Sequence, residues 1–164
     1  MPIYFKKFKQ MKNHTKIIIL SVIFLSNIFF SCKNYIEEEV IKSPTGQIEK
    51  VILWDTKDGK REMVKETRFY PNGNKEREGN YKNDKKNGLW KAWYEDGKIR
   101  VEDEFKDGKL HGFTKIWQEN GELLYEGKCK EGKADGVWIF YDKDGKKMQE
   151  TEYKDGQKVS EKKL

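Results

Sequence analysis

Carboxylates, imidazoles and thiols are the groups from which an active site would be built. Glu78, Glu102, Glu126 and Glu150 recur every 24 residues. Carboxylates that face one another in pairs can share acid and base roles, whereas four at equal spacing make a ladder that nearby lysines balance on a solvated face. The chain has two histidines. His14 lies in a basic leader, and His111 occupies a repeat-turn slot held by Asn87 and Asp135 in other units, which is turn chemistry rather than that of a base or metal ligand. No HExxH, CxxC, GxSxG or phosphate-loop pattern occurs. No catalytic residue, metal ligand or cofactor is assigned, and the chain is not read as an enzyme. Cys129 stands where Tyr81, Phe105 and Tyr153 stand in other units, the slot of a small apolar core residue.

The elements that carry these residues follow from the same period. Gly73, Gly97, Gly121 and Gly145 are spaced by 24, as are Gly88, Gly112 and Gly136, and so are Phe69, Trp93, Trp117 and Tyr141. A fixed period of this length marks a repeat array. Within one unit, Lys98 to Lys106 reads as a strand, Asp107 and Gly108 as a turn, Gly112 to Gln118 as the next strand, and Asn120 and Gly121 as the next turn. Asp-Gly and Asn-Gly between apolar-containing runs are hairpin signals, and the recurrent glycines disfavour a helix. The expected fold is all-β, an elongated antiparallel sheet of tandem hairpins of about 24 residues. A first unit with its turn at Asp58 and Gly59 falls out of step and reads as a truncated or irregular cap.

Parity locates the core. In the first strand of each unit the even positions are polar (Glu102, Glu104, Lys106), leaving one face wet. In the second strand apolar residues fall at both parities, as in Leu89 and Trp93 against Trp90 and Tyr94, so cover on both sides is expected. Trp90, Trp93, Trp117, Trp138 and Tyr141 form the candidate binding surface. The lysines at the end, Lys158, Lys162 and Lys163, would blunt the last exposed edge.

The N-terminus has the layout of a secretory signal. Lysines up to Lys16 precede a mostly apolar run from Ile17 to Phe30, then Ser31 and Cys32. The run is shorter than the roughly 20 residues that span a bilayer. Translation could start at Met1 or Met11. Removing the five leader lysines from 34 basic residues leaves 29 against 28 acidic, so little positive surplus remains and no nucleic-acid partner is expected. Domains are accordingly 1–31 signal peptide, 32–47 a Cys and linker, and 48–164 the repeat domain. The acidic run Glu37, Glu38 and Glu39 in that linker reads as a solvated leash or as a surface-export tag.

Phe29, Phe30, Ser31 and Cys32 resemble the end of a bacterial lipoprotein signal, although Phe occupies two places where aliphatic and small residues are usual. The resemblance implies lipid on Cys32 and a protein exported to the cell envelope, anchored at the outer membrane. Cys129 then has no disulfide partner in the chain. Residues 125–138, from Tyr125 to Trp138, resemble a MORN-type repeat, and the combined pattern is similar to the bacterial MORN-variant repeats of the YwqK-type antitoxin family and of envelope lipoproteins. Asp84 in place of a turn glycine and Gln118 in an aromatic slot depart from it. The resemblance implies a non-catalytic binding or scaffold surface for a protein or polymer partner. Its alternative is an antitoxin or immunity-like protein that neutralises a partner toxin. Oligomeric state is left open.

Overall fold

A computed structural model of the chain describes residues 17–19 and 35–164. The rest of the stretch expected to be a signal peptide, together with Cys32 and His14, lies outside the described residues. The strands are β1 (Ile17–Ile19), β2 (Tyr35–Lys42), β3 (Ile48–Lys57), β4 (Lys60–Phe69), β5 (Lys75–Lys82), β6 (Lys85–Trp93), β7 (Ile99–Lys106), β8 (Lys109–Trp117), β9 (Leu123–Lys130), β10 (Lys133–Ala134), β11 (Gly136–Tyr141), β12 (Lys147–Lys154) and β13 (Gln157–Lys163). They form one antiparallel sheet in chain order, with the short β10 pairing β9 just ahead of β11. The expected elongated array of hairpins is what the chain builds.

Two loop chemistries alternate between the two ends of the sheet. At one end are two-residue turns such as Asp107-Gly108, with φ of 50° and 86°. Positive φ at both residues is the type I′ geometry whose twist matches that of the strands. Asn83 and Asp84 make the same turn with φ of 51° and 58°, so Asp84 replaces the turn glycine without changing the loop. At the other end the loops have three residues, as in Glu95-Asp96-Gly97. There the Gly97 amide donates to the Tyr94 carbonyl at 2.9 Å and the Tyr94 amide donates to the Lys98 carbonyl at 2.8 Å. These three-residue loops also tie each unit to the next. The Tyr70 hydroxyl donates to the Trp93 carbonyl at 2.9 Å, and Tyr94 repeats this on Trp117 at 2.6 Å. Gln118 fills the same slot and donates its amide to the Asp142 carbonyl at 3.0 Å, so the departure from an aromatic keeps the link.

Three expectations change. The second strand of a unit begins at Lys109 rather than Gly112, and His111 lies inside β8, not in a turn. The series Gly88, Gly112 and Gly136 marks bulges: Asp103 pairs Thr114 while Phe105 pairs Leu110, leaving more residues on β8 than on β7. Gly112 is required there, because a Cβ would collide with the Glu104 carboxylate that accepts the Phe113 amide at 2.9 Å. The sheet also begins before residue 48. Tyr35–Lys42, expected as linker, pairs along the whole of β3, and Arg61 meets Glu37 at 2.9 Å and Glu39 at 3.5 Å. The first unit is therefore longer than the others, not truncated.

The third change concerns cover. The strands make a single layer, and the two apolar parities of β6 and β11 have different fates. Trp90 is 4% exposed, whereas Leu89 is 38% and Val137 54% exposed. The buried parity has its own packing device. Trp90 pairs Gly79, and its indole lies so close over that glycine that a Cβ would fall within the ring. Trp138 lies over Gly127 in the same way. Tyr81 and Phe105 meet Trp90 edge-on at 5.2 and 6.1 Å, and Tyr125 and Tyr153 flank Trp138 at 5.7 and 5.9 Å. Rings laid on backbone and edged by other rings bury apolar area without a second layer. The device occurs in every second unit. Between them, Asp103 and Thr114 occupy the glycine and tryptophan slots, with the Thr114 hydroxyl donating to the Asp103 carboxylate.

Candidate functional site

The opposite face presents a ladder of alternating charge. Glu78 pairs Lys91 across the sheet, Lys91 pairs Glu102, Glu102 pairs Lys115, and Lys115 pairs Glu126. Ion pairs close at 2.7 Å between Lys91 and Glu102 and at 2.9 Å between Lys115 and Glu126. At one end Lys75 holds Glu78 at 2.8 Å, with Lys65 at 3.4 Å. The glutamates expected to stack with lysines do so, and Ile139 continues the row between Glu126 and Glu150.

These contacts shift the acids. Partial burial works against the charge on Glu78, but the hydrogen bond and the positive charges of Lys75 and Lys65 outweigh it and hold the carboxyl below its usual range. Hydrogen bonds from Lys115 and then Tyr141 hold Glu126 low. Burial and the bond to Glu126 in turn push the Tyr141 hydroxyl up to about 12. That hydroxyl donates to the Glu126 carboxylate at 2.8 Å. Held low in this way, Glu78 and Glu126 stay ionised near neutrality.

The aromatic residues divide between the faces. Tyr141 stands on the ladder face through Glu126, and Trp93 stands there too, with the Lys75 ammonium 5.5 Å from its ring centre. Strand alternation places Trp117 on the side of Lys115. Trp90 and Trp138 belong to the packed face, where their indole nitrogens donate to the Asn80 and Lys128 carbonyls at 3.0 and 3.1 Å. The five residues of the candidate surface thus make two groups, three together on the ladder face and two in the packing. Among the exposed apolar residues that the candidate surface left out are Leu89 and Val137. With Phe113 they sit at 24-residue spacing in the strands, and their regular recurrence was the signal. A shallow hollow of about 790 Å3 lies here, lined by Phe113, Val137, Ile139, Glu102, Lys115 and Glu126.

The remaining candidates are quickly placed. Cys129 is a free thiol, 8% exposed, whose pKa is pushed up by burial and by the charge of Asp103, so its ionisation is disfavoured. It fills the core slot expected of it. His111 approaches Glu131 with 3.3 Å between Nδ1 and Oε1, at the rim of the sheet and away from the ladder.

No curated protein matches the chain. The family described as MORN repeat variant matches residues 64–83, 86–107 and 134–155. Each match covers one hairpin around a three-residue loop. The hairpin of β8 and β9 is passed over, and it alone of the four has neither Trp nor Tyr in the slots of Trp90 and Tyr94, carrying Thr114 and Gln118 instead. Three hairpins of this sheet, those of β4 and β5, β6 and β7, and β11 and β12, thus match the MORN repeat variant.

Proposed function

We propose that the protein is a non-catalytic binding module whose ladder face docks another protein. The observation that carries this reading is an unlayered sheet face on which a regular row of ion pairs runs beside Trp93, Trp117 and Tyr141 and beside the exposed Leu89 and Val137. Flat aromatics and apolar side chains supply contact area, and a fixed charge pattern sets register and partner choice. The module is held in a bacterial envelope, at the outer membrane, by lipid on Cys32. The binding role generally taken by MORN repeats supports the first half of this reading, and the lipoprotein-like end of the leader supports the second.

Both halves have a direct test. A photo-crosslinking residue at position 89 should form adducts in cells that one at the loop position Asp107 does not, and Lys91→Glu with Lys115→Glu should abolish them. Adducts that survive the charge reversal would defeat the docking surface. For the anchor, a fatty-acid probe should label the wild type and leave Cys32→Ser unlabelled and soluble; an equally labelled mutant would reject lipid on Cys32.

A further inference from the structure

The packed face changes character at its N-terminal end. One transverse row of that face runs through Lys50, Arg68, Arg77, Ala92, Val101, Ile116, Tyr125 and Phe140, each paired with the next across the sheet. Ile41 of β2 precedes Lys50 in this row, and from Ala92 onward the residues are uncharged and mostly apolar, whereas Lys50, Arg68 and Arg77 are three cations placed directly opposite one another. Like charges so placed oppose each other. A single carboxylate answers them. Glu66, 5% exposed, accepts from Arg68 Nε at 3.1 Å and from Arg77 at 3.3 Å through the same oxygen, while Lys50 stands 3.6 Å from the other. Arg77 Nε is buried and has no hydrogen-bond partner among the described residues. A buried donor without a partner costs free energy, and it marks a guanidinium that Glu66 alone does not satisfy. Lys86 adds a fourth cation, packed over Trp90 at 4.2 Å, its ammonium disfavoured by burial and by the charge of Arg77.

We infer that Lys50, Arg68 and Arg77 form a binding site for a compact dianion, a phosphate or sulfate group. Two guanidinium groups offer planar donors that match tetrahedral oxyanions, and the surplus positive charge matches two negative charges. The three side chains are between 25% and 38% exposed, so an incoming anion can approach them. The adjoining groove, about 470 Å3 and lined by Lys50, Arg68 and Phe69, also carries Glu49 and Glu76. The site lies on the face opposite the ladder and is independent of the docking reading.

The test is calorimetric titration of the full-length, detergent-solubilised protein with inorganic phosphate, sulfate and glycerol phosphate. Phosphate or sulfate binding should weaken at least tenfold in Arg77→Gln and in the more exposed Lys50→Gln. Glu66→Gln removes the competing carboxylate and should tighten binding several-fold, an effect that a purely structural cluster would not produce. Circular dichroism shows that each variant remains folded. Binding of glycerol phosphate as well as free phosphate would mark the group as one carried on a larger molecule, and binding of the free anions alone would mark a small-ion site. No binding by either the wild type or Glu66→Gln at millimolar anion would overturn the proposal.

Discussion

The two faces of this sheet solve opposite problems with the same repeat. On one, Trp90 and Trp138 lie flat over Gly79 and Gly127, and rings at both sides close the edges of each indole. On the other, side chains stand in charged pairs and leave Leu89 and Val137 in solvent. The difference shows how a single-layer sheet remains folded while keeping a whole face open. Burial is concentrated on one side, by ring on backbone, and the other side needs only charge balance to keep its register. Surface ion pairs contribute little individually, typically below about 1 kcal/mol, so stability rests on the packed face.

Substitutions can break that asymmetry in order of size. Trp90→Ala should lower unfolding free energy by about 3–5 kcal/mol in urea denaturation, and Trp138→Ala by less, because Trp138 is more exposed. Gly79→Val forces a side chain into the indole and should cost about 1–3 kcal/mol. Tyr94→Phe removes the hydroxyl bond to the Trp117 carbonyl and should cost about 1 kcal/mol. Lys115→Met on the ladder face should change stability by less than about 1 kcal/mol. A ladder substitution as costly as Trp90→Ala would overthrow the division of labour between the faces.

Acid sharpens the comparison because the faces respond with opposite sign. Glu126 is held low, so its contribution is present above its unfolded pKa and fades as pH falls through the folded value. On the packed face, burial raises Asp103, so protonation favours the folded state and stability is gained as pH falls through its raised value. Urea midpoints followed from pH 7 to 3 should therefore fall less steeply in Glu126→Gln than in the wild type, and more steeply in Asp103→Asn. The reverse order would show that these groups do not act as their surroundings indicate.

Much of this was legible in residues 69–153, where an unbroken period and Asp-Gly or Asn-Gly turns dictate hairpins, and equal spacing of Glu78, Glu102 and Glu126 announces a ladder. The start of the sheet was hidden because Glu37, Glu38 and Glu39 look like a solvated leash. Arg61, two strands away, makes part of that run acceptable in β2. Gly79 and Gly127 gave no turn signal, since their purpose is to make room for an indole on the neighbouring strand. Likewise Trp90 and Trp93 have the same composition and nearly the same address, yet one is packed and the other stands beside the ladder. The sequence by itself determined the repeat, its turns and the alternation of side chains, because these depend on φ preferences and a period of two along the strand. Which parity is packed and which left open was decided only in the folded sheet, since that depends on partners nine or more residues away in the chain and adjacent in space.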